Sequence, residues 1–151
     1  MKPKLLLLSN SMFFHYTFCS FFKSDFTVEP LMLRYITFDL KNKSQHLYTQ
    51  LKEQKRKKLY KSGLLRDPQK LVLTKKTINY IYEECLKSNP IEIAVEVYDG
   101  SKDELLLLKQ LNKLGIPITV YSSMPQQEIK NKLISQQNIK IKNTTALKEL
   151  I

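Results

Sequence analysis

Tryptophan is absent from this chain of 151 residues, and glycine occurs only three times. So few glycines exclude a glycine-rich nucleotide loop: neither G-x-G-x-x-G nor G-x-x-x-x-G-K-S/T occurs. Two cysteines, Cys19 and Cys85, and two isolated histidines, His15 and His46, are too few for a disulfide framework or a zinc knuckle. No H-x-x-x-H, C-x-x-C or G-x-S-x-G is present, so a catalytic triad and a zinc centre have no support. Cofactors, metal ligands and catalytic residues are accordingly expected to be none, with no small-molecule substrate. No apolar run is long enough to span a bilayer, because Ser9-Asn10-Ser11 and His15 interrupt the first one, and no membrane partner is expected.

Acidic residues are scarce where basic ones are dense. Residues 41–76 hold twelve Lys or Arg against Glu53 and Asp67, a local charge of +10 in a chain whose net charge is +11. The remainder is nearly neutral. Lys52, Lys55, Arg56, Lys57, Lys58, Lys61, Arg66, Lys70, Lys75 and Lys76 form the candidate RNA-binding set, because dense Lys and Arg displace counterions condensed on a phosphate backbone. The alternative is a solvated charged helix. Tyr48 and Tyr60 are candidates to stack on unpaired bases.

The first 24 residues contain no acid. They read as a β-hairpin, with Leu5–Leu8 and Phe13–Phe18 as strands around Ser9-Asn10-Ser11, or as a targeting segment. Leu31–Leu40 is rich in β-formers and reads as a strand. Leu47–Arg56 reads as a helix that Ser62-Gly63 ends after the basic run. Ile78, Ile81, Tyr82, Cys85 and Leu86 recur at helical spacing within Thr74–Ser88, stopped by Asn89-Pro90. Ile91–Tyr98 alternates, with Ile91, Ile93, Val95 and Val97 on one face, and reads as a strand with one buried face. Ser101 and Glu104 make a capping box for a helix over Ser101–Leu114 that Gly115 ends, with Leu107, Leu108, Leu111 and Leu114 as its stripe. Ile116–Tyr121 is a short strand. Gln126–Ser135 reads as a helix, Ile139–Ile141 as an edge strand and Ala146–Ile151 as a terminal helix.

The expected fold is α/β: an N-terminal β-hairpin region, then a β-α-β-α-β layered sheet with helices packed on it, and a C-terminal helical tail. Alternation of strand and helix implies parallel strands joined by right-handed crossovers. Residues 1–125 form a single α/β domain with a basic insertion at 41–62, and 126–151 a C-terminal extension. Its apolar residues, Ile129, Leu133, Ile134, Ile139, Ile141, Leu147, Leu150 and Ile151, suit docking on a neighbour.

The turn Asp99-Gly100-Ser101-Lys102-Asp103-Glu104 resembles a phosphate cradle in layout, but three carboxylates there repel phosphate. They serve the helix, each compensating its dipole by about 0.3–1 kcal/mol. A competing reading makes Glu96, Asp99, Asp103 and Asp39 the ligands of a Mg²⁺ ion in a small phosphate-handling enzyme or nuclease.

Ile91–Pro125 resembles the second half of small-subunit ribosomal protein eleven: strand, glycine-containing turn, helix ending in Leu114-Gly115, then Ile116-Pro117-Ile118-Thr119-Val120 and Met124-Pro125. The helix Thr74–Ser88 precedes it, Lys61-Ser62-Gly63-Leu64-Leu65-Arg66 stands where the family has a basic loop, and Leu5–Phe18 where it has its first strand pair. Large-subunit ribosomal protein eighteen has a related architecture. The chain departs from the family in its acidic turn, its mildly basic tail and the insertion at 41–60, a divergence similar to that of organelle ribosomal proteins. The resemblance implies no enzymatic activity, a structural role in the small subunit of a mitochondrial or else cytoplasmic ribosome, and rRNA and neighbouring ribosomal proteins as partners. RNA contact is then expected to have moved from the turn and tail to residues 41–76.

Overall fold

The computed structural model describes residues 2–33, 36, 53–63, 73–97, 100–122, 128 and 139–143. Its centre is a five-stranded sheet of order β2-β1-β3-β4-β5, with every neighbouring pair parallel. The strands are β1 (Lys4–Ser9), β2 (Thr27–Met32), β3 (Glu92–Val97), β4 (Ile118–Ser122) and β5 (Ile139–Asn143). Between them lie α1 (Met12–Phe22), α2 (Glu53–Lys61), α3 (Lys75–Ser88) and α4 (Lys102–Asn112).

The α/β layering and the parallel strands are as expected, but the N-terminal hairpin is not there. Leu5–Leu8 is a strand, whereas Phe13–Phe18 lies within helix α1. Ser11 caps that helix, its side chain accepting from the backbone N–H of Phe14 at 3.1 Å. Phe14, Phe18 and Phe22 are four residues apart and share one face, which packs on Tyr121 of β4. A hairpin could not gather these rings over the sheet, so packing overrides the β preference of an aromatic run. Residues 4–22 supply an interior strand of the sheet and the helix that covers one face of it.

β1 has a neighbour on each side and a helical layer on each face, which explains four consecutive leucines. Leu6 and Leu8 face α3 and α4, in a core with Ile78, Ile81, Cys85, Ile93, Val95, Leu107, Leu108 and Leu111. Leu5 and Leu7 face α1, in a second core with Phe14, Phe18, Ala94 and Tyr121. β3 is therefore covered on both faces rather than one, and it begins at Glu92, leaving Ile91 exposed.

The second strand runs over Thr27–Met32; of the strand expected at Leu31–Leu40, Leu31 and Met32 lie in it, Leu33 and Ile36 are helical and buried, and the rest fall outside the described residues. Pro30 is tolerated there because, among the described strands, β2 pairs only with β1. The expected helix at Thr74–Ser88 is α3, with Thr74 as its N-cap and Asn89 as a left-handed C-cap at φ 47°. Ile78, Ile81 and Cys85 are buried, but Leu86 is exposed and stands off the stripe. The capping box of Ser101 and Glu104 is present in α4, and Gly115 follows that helix at φ 72°. The strand expected at Ile139–Ile141 is β5, at the sheet edge, where Lys140 and Lys142 are exposed. The helices expected at Gln126–Ser135 and Ala146–Ile151 fall outside the described residues, apart from Glu128, which is helical.

Candidate functional site: the carboxyl end of the sheet and a cationic helix

From β1 the chain moves outward to β2 across the α1 face, and from β3 to β4 across the opposite face. The direction of winding reverses between β1 and β3. In open parallel sheets the crevice beyond the strand ends at such a reversal is the usual ligand site.

Here that crevice is closed by polar side chains. Glu96, near the end of β3, turns its Oε2 to the corner between β1 and α1. It accepts from the backbone N–H groups of Asn10 and Ser11, both at 3.3 Å, and from Ser11 Oγ at 3.1 Å. A carboxylate of the chain thus meets the amino end of α1, where an anion is favoured. Asn10 Nδ2 donates to the Glu96 carbonyl at 2.7 Å and to Glu104 Oε2 at 3.2 Å, tying β1, β3 and α4 together. Glu104 Oε1 accepts from the Ser101 backbone N–H at 3.2 Å. Two buried atoms at this corner, Ser9 Oγ and Asn10 Oδ1, have no hydrogen-bond partner among the described residues.

The acids of the α4 turn act as helix partners: Glu104 completes the capping box and Asp103 lies in the first turn. Of the carboxylates considered for Mg²⁺, Glu96 is bound into the β1–α1 corner, while Asp39 and Asp99 lie outside the described residues.

The basic set separates by location. Lys55, Lys57, Lys58 and Lys61 are exposed along α2. Arg56 belongs to the same helix, its side chain outside the described residues, as is that of Tyr60. Lys75 and Lys76 are exposed in the first turn of α3. That helix returns to the start of β3 and rises about 20 Å, as far as a six-residue strand, so its first turn lies level with the strands' carboxyl ends. Lys52, Arg66, Lys70 and Tyr48 lie outside the described residues.

Among the described side chains of α2, Leu59 is the apolar anchor. Leu59 packs against the small cluster of Met12, at the start of α1, and Met32, at the end of β2, on which Tyr16 also packs. This contact brings the lysines to the carboxyl end of the sheet. Between α1, β2 and α2 a cleft of about 250 Å³ is lined by Tyr16, Cys19, Ser20, Lys23, Val28 and Lys57.

Sequence reasoning missed Lys23, Asn10 and Ser11. Lys23 stands alone in sequence and joins Lys57 only through the fold. A signal for the corner existed, since Ser-Asn-Ser after an apolar run is a strand end followed by a helix cap. Both cysteines are free thiols, and Cys85 is core, as expected. Burial, with a smaller contribution from Glu84, pushes the Cys85 thiol up to about 12, and burial with Glu92 does the same to the Tyr121 hydroxyl.

No protein-family model, curated protein or solved structure matches the chain.

Proposed function

We propose that the protein binds RNA through the cationic surface centred on α2, as a structural constituent of a ribonucleoprotein particle. The observation that carries this is the set of exposed lysines, Lys55, Lys57, Lys58 and Lys61, on a helix held to the sheet by Leu59. A folded scaffold fixes their spacing, as phosphate contact requires. Within this proposal the particle is a ribosomal small subunit, the assembly to which the resemblance over Ile91–Pro125 points, and the compartment is the mitochondrion.

Two experiments test it. RNA affinity of the purified chain should fall steeply with salt. Replacing Lys55, Lys57, Lys58 and Lys61 by Gln should lower the slope of log K against log salt by about 3, at roughly 0.7 for each single-strand phosphate no longer neutralised. An unchanged slope overturns the assignment to α2, and absence of RNA affinity overturns the binding reading. Sedimentation of the native protein through a high-salt gradient tests the particle: a protein that never travels with ribosomal subunits is not a ribosomal constituent.

A second reading is favoured by Ser9 Oγ and Asn10 Oδ1, buried at the reversal of the sheet and without a hydrogen-bond partner among the described residues. Unpaired buried acceptors are costly, and a small ligand bearing N–H or O–H donors would satisfy them. Such a ligand at about a hundred times its Kd would raise stability by about 2.7 kcal/mol. A panel of nucleosides, sugars and amines that leaves the melting temperature unmoved counts against this reading. The Mg²⁺ alternative has less support, because Glu96 already accepts three hydrogen bonds from the β1–α1 corner.

A further inference from the structure

The cleft between α1 and α2 is lined by residues that no stretch of sequence brings together. Tyr16, Cys19 and Ser20 come from successive turns of α1, Lys23 from its C-cap, Val28 from β2 and Lys57 from α2. We infer that this cleft receives one unstacked nucleotide of a single-stranded RNA, its phosphate between Lys23 and Lys57 and its base against Tyr16 and Val28. The inference rests on the RNA-binding reading and deepens it by naming where the strand is gripped.

Three observations carry it. Among the described residues the lining holds two exposed ammonium groups and no carboxylate, unlike the crevice at the sheet reversal. Two cations flanking one cavity match a single phosphate, with the Ser20 hydroxyl available as a further donor. The floor is amphipathic: Tyr16 packs on the Met12 and Met32 cluster, Cys19 belongs to the apolar core beneath, and Val28 packs against that core. Aromatic and apolar floors beside lysines are how single strands are held, since every base offers a π-face. Size is the third observation. At about 250 Å³ the cleft lies below the range of whole-cofactor pockets and suits one ring system with its phosphate. A base must leave its stack to enter, so duplex RNA is excluded.

Cys19 supplies a reporter. It lines the cleft and is 7% exposed, whereas Cys85 is fully buried with its thiol pushed up to about 12, and stays silent. The experiment measures binding of a fluorescent oligouridylate to the full chain by polarisation across a salt series, together with the rate of iodoacetamide alkylation at Cys19. Lys23→Gln and Lys57→Gln should each reduce the salt slope by about 0.7 and weaken binding several-fold. The oligouridylate should slow Cys19 alkylation in the wild type, and duplex RNA of equal length should not.

The outcomes separate the two proposals. A wild type that binds no oligouridylate overturns both. A wild type that binds, with the slope reduced in Lys55→Gln and Lys58→Gln but kept in Lys23→Gln, overturns the cleft alone. Equal protection of Cys19 by duplex RNA also overturns the cleft. Should Cys19 prove unreactive in the free chain, the slope of Lys23→Gln decides, because Lys23 is exposed and its replacement leaves the fold intact.

Discussion

Glu96 shows how one side chain can fix a corner. Its Oε2 accepts three hydrogen bonds from the segment joining β1 to α1, and hydrogen bonds to a charged acceptor are worth about 1.5–3 kcal/mol each. Glu96→Gln keeps the shape and removes the charge, so we expect a loss of about 2 kcal/mol in urea unfolding at unchanged m. No loss would mean the corner is held without it. Cys85 gives a pH signature. Its thiol ordinarily titrates at 9.0 and is raised to about 12 by burial, then by Glu84. The folded state therefore favours the neutral thiol. That contribution is complete below pH 9 and disappears as pH rises from 9 to about 12. Tyr121, raised from 10.0 to about 12, acts in the same direction from pH 10 upward. Alkaline unfolding should be shallower in Cys85→Ala than in the wild type; parallel curves would refute this.

At the scale of elements, α1 is held by its aromatic stripe. Phe14 and Phe18 stack at 3.9 Å between centroids, and Phe18 meets Tyr121 edge-on at 4.8 Å. Phe18→Ala should cost about 3–5 kcal/mol, while Phe21→Ala, at an exposed position, should cost well under half of that. Equal losses would disprove the stripe. The same stripe shows what could be read from sequence. Phe14, Phe18 and Phe22 already stood at helical spacing, but the dense neighbouring aromatics Phe13, Tyr16 and Phe21 hid that period and suggested a strand. Where apolar and polar residues alternated cleanly, as at Ile78, Ile81 and Cys85 or at Ile93, Val95 and Val97, the element was legible. So was the capping box, because a cap acts through its own neighbours. The partnership of Glu96 with Asn10 spans 86 residues of chain and the cleft pairs Lys23 with Lys57, so no local pattern could show either.

For the whole molecule, charge and fold separate. The core lies in the sheet and its covering helices, and the exposed lysines of α2 contribute little to it. The variant with Lys55, Lys57, Lys58 and Lys61 all replaced by Gln should melt within a few degrees of the wild type, because exposed substitutions usually change stability by no more than about 0.5 kcal/mol each. A collapse in melting temperature would show that the lysines hold the fold together rather than a partner. The two sheet edges are guarded differently, β2 by Pro30 and β5 by Lys140 and Lys142, which discourages strand addition from other chains.

Strand β1, interior to the sheet, is translated before both of its neighbours. Leu5 pairs with Val28 on one side but with Glu92 on the other. During synthesis, one side of a strand with four adjacent leucines must wait until more than half the polypeptide has emerged. Throughout that interval the nascent chain displays an open, greasy backbone ladder, the kind of surface that chaperones shield and that aggregates nucleate upon.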